Sequence, residues 1–134
     1  MRILVHELVT GGGLADYEAP SELAPEGAAM LAALTSDLRA IGTHEIVSPG
    51  PVSPGSLDAL IASVDAVWLI APESEGCLER LAAQVERQGK LLIGPLTDAI
   101  ARASDKWGVA DRARLQQHAV RQGHSDPKIG RAHV

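Results

Sequence analysis

Short apolar runs alternate along this chain with segments in which apolar residues recur every three or four positions. The short runs predict strands, and they cover residues 2–8, 45–47, 65–71 and 90–94. The periodic segments predict helices, and they cover residues 21–41, 56–64, 75–88 and 104–120, with a short helical turn after Thr97. Strands that alternate with helices indicate an α/β fold: a small open parallel sheet of about four strands, flanked by helices.

Serine residues mark the expected beginnings of these helices. A serine side chain can accept a hydrogen bond from the first backbone N–H groups, which have no partner inside the helix. The expected N-caps are Ser21, Ser56, Ser74 and Ser104. Pro25 fits the same prediction, because proline is tolerated in the first turn of a helix.

The loops that follow the strands are expected to meet at one place. Right-handed crossovers put the carboxyl ends of all parallel strands at the same edge of a sheet, and ligands of such folds bind there. The loops concerned are V-T-G-G-G at residues 9–13, A-P-E-S-E-G at residues 71–76 and G-P-L-T-D at residues 94–98. We therefore expect substrate-binding residues in these segments.

The composition restricts the class of protein. The 134 residues include no Phe and a single Cys, and the net charge is −5, which argues against nucleic acid as a partner. No apolar run is long enough for a signal peptide or a membrane span, and the lone Cys77 suits a reducing compartment. We therefore expect a cytoplasmic protein with no membrane partner. His6 has no second His or Cys at ligand spacing, so no metal site is predicted.

The glycine loop is the first candidate for ligand contact. Gly11, Gly12 and Gly13 follow the first strand, and glycine permits positive φ angles and close backbone approach. Their N–H groups, together with that of Thr10, could hold an anionic substrate group. A dinucleotide fingerprint needs a third glycine where Asp16 stands, and its helix should begin sooner, so no nicotinamide cofactor is expected. The alternative is a flexible loop without a ligand.

Glu7 and Glu73 are the candidate carboxylates of the same edge. Glu7 lies near the end of the first strand and could hold a substrate amine or an arginine; the alternative is a strand-end charge that reaches solvent. His6 should point to the opposite face from Glu7, because side chains alternate along a strand, and we expect a structural role for it. Glu73 follows the third strand, near a helix N-terminus that favours anions, and its role stays open.

The stretch S-D-K-W at residues 104–107 is a second unusual feature. Ser104 and Asp105 suit the N-cap and the first turn of a helix. Lys106 does not, because a cation opposes the positive end of the helix dipole. This placement suggests a carboxylate or phosphate partner for Lys106, whereas the alternative is a simple helix cap.

These motifs, with D-A-V-W-L-I-A-P-E between them, resemble ligases of the ATP-grasp superfamily, namely those similar to tyramine–glutamate ligase and the pyrrolysine-type ligases. In that group the first strand ends in E-x-x-T-G-G-G, and S-D-K opens the first helix of the ATP-grasp domain. The residues that match are Glu7, Thr10, Gly11, Gly12 and Gly13 for the first motif and Ser104, Asp105 and Lys106 for the second. The resemblance covers nearly the whole chain up to about Pro127.

The resemblance implies a domain organisation. A Rossmann-like pre-ATP-grasp domain would occupy residues 1–103, and the first helix of a truncated ATP-grasp domain would occupy residues 104–127. The last segment, K-I-G-R-A-H-V at residues 128–134, is similar to a translated sequencing adapter, so we expect it to be non-native. Under this interpretation the biological protein continues beyond Pro127.

The resemblance also implies a reaction. ATP phosphorylates a substrate carboxylate to an acyl phosphate, and an amine then attacks to form an amide, with Mg²⁺ on the ATP phosphates. The family's lysine and acidic ligands for ATP and Mg²⁺ lie downstream of the S-D-K helix, so no cofactor and no activity are expected for this chain alone. The carboxylate and amine substrates would contact Glu7, Glu73 and the loop at residues 10–13, and residues 104–106 would anchor the domain junction.

Two other classes stay open. A stand-alone flavodoxin-like module that binds a small molecule or nucleotide would need a closed, well-ordered last helix packed on the sheet. A Rossmann-type oxidoreductase or nucleotide-sugar domain is disfavoured by the missing third glycine and by the absence of an acidic residue at the end of the second strand.

Overall fold

The computed structural model describes residues 1–72, 74–105 and 117. The strands are β1 (Arg2–Glu7), β2 (Glu45–Val47), β3 (Ala66–Ile70) and β4 (Leu91–Ile93). The α-helices are α1 (Leu8–Gly11), α2 (Ala24–Ile41), α3 (Pro54–Ala62), α4 (Cys77–Arg87) and α5 (Thr97–Ser104), and 3₁₀ turns cover Ser21–Leu23 and Ser74–Gly76. No helix among the described residues is long and apolar enough to span a membrane.

The four strands form one all-parallel sheet in the order β2-β1-β3-β4. The predicted α/β fold, a small open parallel sheet flanked by helices, is therefore confirmed. The two central strands run in register from Ile3 opposite Ala66 to Glu7 opposite Ile70. Because the strands are parallel, the carboxyl ends of β1 and β3 lie side by side at one edge of the sheet.

Alternation along β1 divides the core between the two faces of the sheet. Leu4 contributes to one cluster, which α3, α4 and α5 supply with the buried residues Leu57, Ile61, Leu81, Ala82, Val85 and Ile100. Ile3 and Val5 contribute to the other cluster, against which α2 packs Leu31, Leu34 and Leu38. Each fully buried Leu or Ile stabilises the fold by about 1.5–3 kcal/mol. The sheet edge is thus held by helices packed on both faces.

The first departure from the predicted elements is α1. Leu8 was expected to end the first strand and the next three residues to belong to a loop, but all four form a helical turn directly after β1. The Glu7 carboxylate accepts hydrogen bonds from the N–H groups of Val9 and Thr10, both at 2.8 Å, and so caps the turn. A four-residue turn has too few positions to show a helical period, and this is why the pattern missed it.

Three predicted serine caps are wrong. α2 begins at Ala24 after a 3₁₀ turn, and Ser21 makes no side-chain cap, although Pro25 does lie in the first turn. α3 begins at Pro54, two residues before Ser56, because the fixed φ of proline suits the first helical position.

The third wrong cap precedes α4. Glu75 has a φ of 57° and Gly76 a φ of 65°, so the backbone is left-handed here and α4 begins only at Cys77. Ser74 belongs to the 3₁₀ turn before this change of direction and does not cap the helix.

The chain divides into two units, Met1–Ala101 and Arg102–Val134. Ser104, the predicted first cap of a following helix, is instead the last residue of α5, and Asp105 follows it outside any helix or strand. Thr97 opens a full eight-residue helix, not the short turn expected, and this helix reaches Ser104. Lys106 and almost all of the predicted helix at residues 104–120 lie outside the described residues, and the boundaries at 103/104 and 127/128 stay predictions.

Candidate functional site

The carboxyl ends of β1 and β3 form the edge at which a ligand was expected. Glu7 ends β1 and pairs in register with Ile70, which ends β3. α1 and the glycine turn (residues 11–13) continue from β1, while Ala71 and Pro72 continue from β3. Two sides of this edge differ in construction, one on the α3 face of the sheet and one on the α2 face.

On the α3 face, His6 holds the glycine turn against the sheet. The side chain is 2% exposed, and its Nε2 lies 2.8 Å from the carbonyl oxygen of Gly12. A carbonyl oxygen only accepts, so Nε2 carries the proton and donates. The Val52 N–H donates to the Gly11 carbonyl at 2.7 Å and fastens the turn from the other side. The structural role expected for His6 agrees with this geometry.

Burial lowers the pKa of His6 below its ordinary value of 6.5, against smaller opposing effects from the Gly12 hydrogen bond and the Glu7 charge. The neutral imidazole is therefore the form that suits this site. Protonation would place a charge inside the core, where an ion is costly to desolvate.

The three glycines are required by the protein's own atoms. A Cβ at Gly11 would lie 2.9 Å from the His6 ring, and one at Gly13 would lie 2.7 Å from Cδ2 of Leu57. Gly12 and Gly13 also have φ angles of 67° and 103°, which side chains rarely adopt. The close approach that these glycines permit is therefore an approach to His6 and to α3.

Two of the expected donors of the anion cradle are already paired within the chain. The N–H of Thr10 donates to Glu7, and the N–H of Gly12 donates to the carbonyl of Leu8 at 2.8 Å. These N–H groups satisfy the chain itself. A substrate-binding role for Thr10, Gly11, Gly12 and Gly13 stays a prediction, and the geometry does not favour it.

On the α2 face, Glu7 is a buried carboxylate. It is 2% exposed, and besides the two backbone bonds of α1 its Oε2 accepts the Thr10 hydroxyl at 2.6 Å. α2 passes directly over this carboxylate, because a Cβ at Gly27 would lie 2.7 Å from both Cδ and Oε2 of Glu7. The alternative of a strand-end charge in solvent is therefore wrong, and Glu7 first of all organises α1.

A cavity of about 200 Å³, the edge cavity, lies beside Glu7. The segments after β1 and β3 line it with Glu7, Val9, Ile70, Ala71 and Pro72, and the beginning of α2 lines it with Leu23, Glu26, Gly27 and Met30. Its surface is mainly apolar, and its ionisable lining side chains are the buried Glu7 and the exposed Glu26. The composition suits a ligand with an apolar body and a polar or cationic group.

Sequence reasoning missed four residues of this cavity on α2 and just before it: Leu23, Glu26, Gly27 and Met30. Leu23 was read as part of the apolar stripe, and Glu26 and Met30 were not singled out. The one available signal was Gly27, because an isolated glycine inside a helical pattern often marks a close approach.

Tyr17 is a further polar group of the region. Its hydroxyl is buried and has no hydrogen-bond partner among the described residues. Burial raises the pKa of Tyr17, and the nearby Cys77, Glu75 and Glu7 raise it further. Cys77 itself is a free, fully buried thiol in the core.

The remaining predicted site residues are not brought to this cavity by any described contact. Glu73 and Lys106 lie outside the described residues. Ser104 ends α5 and Asp105 follows it, both exposed, and their role at a domain junction stays a prediction. Across residues 1–72 and 74–105, no group of three or more His, Cys, Asp or Glu side chains could hold a metal ion.

The fold and the edge cavity define an open α/β domain with a ligand-sized opening at the carboxyl edge of its sheet. Residues 32–100, just over half of the chain, match the model of the pre ATP-grasp 3 domain family. The chain therefore belongs to this family. Of the stretches that carry the resemblance, D-A-V-W-L-I-A-P-E at residues 65–73 lies inside the matched range, whereas the motifs at residues 7–13 and 104–106 lie outside it.

A solved structure supports the same relationship. The chain is similar to a crystal structure from Archaeoglobus fulgidus described as an ATP-grasp superfamily protein, with a TM-score of 0.72 and 26% sequence identity. The similarity covers 85% of this chain but 39% of that one, so the chain spans about two fifths of the length of this relative. No curated protein matches the chain.

Proposed function

We propose that this chain is the N-terminal part of an ATP-dependent carboxylate–amine ligase that acts through an acyl phosphate. The observation that carries the proposal is the likeness to an ATP-grasp superfamily protein over 85% of this chain and 39% of the other. In this proposal the chain supplies a wall of the substrate site, and the remaining length of the parent supplies the ATP-binding lobe.

The described residues of the sheet edge offer few groups that could hold ATP and Mg²⁺. Phosphate groups need free N–H donors or cationic side chains, but the N–H groups of Thr10 and Gly12 are paired. Mg²⁺ takes several oxygen ligands, and the described residues contain no cluster of three or more candidate side chains. We therefore assign no step at ATP to this chain and expect it to be inactive alone.

Calorimetry tests this division of labour. MgATP titrated into the 134-residue chain should give no saturable heat, whereas micromolar binding would contradict the proposal. The same gene region extended past the codon for Pro127 tests the parent activity. An extended protein that forms ADP only when both a carboxylate and an amine are present supports the ligase, and a native stop codon at that point argues against it.

One observation favours a second candidate, a stand-alone flavodoxin-like module. The strand order β2-β1-β3-β4 equals the first four strands of the flavodoxin-like order. Such a module would bind its ligand at the same edge without a second lobe. Saturable binding of a flavin or another nucleotide to the chain itself would favour it over the ligase.

A further inference from the structure

The size of the edge cavity suits a short hydrocarbon group. A closed apolar cavity of about 150 Å³ holds benzene in other proteins, and this one measures about 200 Å³. Leu23, Met30 and Ile70 provide apolar lining. A ligand part of about six carbons would therefore be desolvated on entering, which is the main driving force for such binding.

The charges around this lining have one sign. Glu7 is buried beside the cavity and Glu26 is exposed on it, and its described lining contains no Lys, Arg or His. Within the part of the chain that the structure describes, the Oε1 atom of Glu7 accepts one hydrogen bond, from Val9, and a carboxylate oxygen can accept two. One acceptor position therefore remains on a buried carboxylate, with a second carboxylate at the solvent side.

The carboxylates of the lining favour a cationic ligand over an anionic one, and the beginning of α2 does not reverse this preference. A helix N-terminus favours anions through free N–H groups, but the N–H of Ala24 donates to the Ser21 carbonyl, and Pro25 has none. Glu26 adds a negative charge to the same first turn. A carboxylate ligand would therefore face two like charges with few donors to offset them.

We propose that the edge cavity binds a primary ammonium group carried on an apolar chain, between Glu7 and Glu26, with the chain against Met30 and Ile70. Resting on the proposed function, this assigns the cavity to the amine substrate of the ligase and leaves the carboxylate substrate to the rest of the parent. The shared chemistry would be met by a free alkylamine or arylamine and by a lysine side chain of a peptide.

Three matched probes test the proposal on the 134-residue chain by NMR titration without ATP: hexylammonium, 1-hexanol and hexanoate. Hexylammonium should bind at least about fivefold more tightly than hexanol, and hexanoate should bind weakest, since the probes share one hydrocarbon chain and differ in charge. Equal affinities, a preference for hexanoate or an absence of binding would overturn the proposal. An N-acetyl-lysine amide separates the two sources, because only a peptide-binding site would prefer it to hexylammonium.

A charge-removing variant makes the test specific to this site. Glu26→Gln should weaken hexylammonium binding about threefold and leave hexanol unchanged, as expected for a partly exposed ion pair. Glu22→Gln removes an exposed carboxylate of the preceding 3₁₀ turn that does not line the cavity, and it should change nothing. Equal losses in both variants would mean general charge attraction and would refute the assignment. Because no ATP is present, these outcomes are independent of whether the parent is a ligase.

Discussion

The two sides of the carboxyl end of β1 are built for different tasks. On the α3 side, His6, Gly11 and Gly13 are packed against the chain itself, and the polar groups of the turn pair with His6, Val52 and Leu8. On the α2 side, Gly27 keeps space over Glu7, and an apolar cavity with two carboxylates remains. The glycine motif thus packs against other parts of the chain, whereas the start of α2 lines the cavity.

The largest expected effect breaks the α3 side. Gly13→Ala should lower the free energy of unfolding by about 3 kcal/mol, because the new Cβ would meet Leu57 and the φ of 103° is strained for alanine. Urea denaturation measures this change. Gly55→Ala is the matched control inside α3, where a Cβ meets nothing within 4 Å, and it should be neutral or stabilising. Equal stabilities of the two variants would contradict the packing described for the turn.

A smaller loss is expected on the α2 side, at the contact between Gly27 and Glu7. Gly27→Ala gains helix propensity but drives a Cβ into the Glu7 carboxylate, so we expect a net loss of about 1–2 kcal/mol. The displaced carboxylate should also release its backbone donors, and the amide protons of Val9 and Thr10 should exchange faster with solvent. An unchanged exchange rate at these amides would show that Glu7 does not depend on the space at Gly27.

The α3 side should also carry the pH dependence of stability. The pKa of His6 is lowered in the folded chain, whereas the unfolded value is about 6.5, so below about pH 6.5 the unfolded chain takes up a proton that the folded chain does not. Stability is therefore lost as the pH falls below about 6.5, at up to about 1.4 kcal/mol per pH unit from this group.

Variants isolate this contribution. His6→Gln should flatten the decrease in stability between pH 6.5 and the folded pKa, whatever its stability at higher pH. His44→Gln removes an exposed histidine and should keep the slope of the unaltered chain. If the slope disappears in the His44 variant and persists in the His6 variant, then His44, and not His6, causes the pH dependence of stability, and the prediction is contradicted.

The smallest effect on stability belongs to the cavity side. Met30 is 50% exposed, so Met30→Ala should change the free energy of unfolding by about 0.5 kcal/mol or less and still weaken hexylammonium binding about threefold. Ile41→Ala, on the same helix at 63% exposure, should leave binding unchanged. Weaker binding with little change in the free energy of unfolding is expected of a side chain that contacts the ligand and contributes little to the fold.

The sheet could be predicted from the sequence because both central strands are apolar on both faces and the helices have clear periods. β2 was predicted with its observed bounds, Glu45–Val47, and β3 to within one residue at each end. The caps could not be predicted in the same way. Whether a serine caps a helix depends on a backbone geometry that neighbouring prolines and left-handed residues decide, as at Pro54 and Glu75.

The edge cavity lies where a ligand was expected, and of the residues predicted to bind substrate its lining includes Glu7. A substrate-binding role for Glu7 stays a prediction. The glycines were expected to face a ligand because consecutive glycines indicate a close approach of the backbone. The sequence does not tell whether the backbone approaches a ligand or other residues of the same chain. The cavity residues of α2 could not be recognised from the sequence, because Glu26 and Met30 line the cavity only through the packing of α2 against β1.

The position of bound ligand tests the contrast between the two sides most directly. Amide chemical shifts of the 134-residue chain, followed during a hexylammonium titration, report which side responds. The account predicts saturable shifts at Val9, Gly27, Ile70 and Ala71, with Gly12, Gly13 and Val52 unmoved. Saturable shifts centred on the glycine turn, with the cavity residues silent, would contradict it.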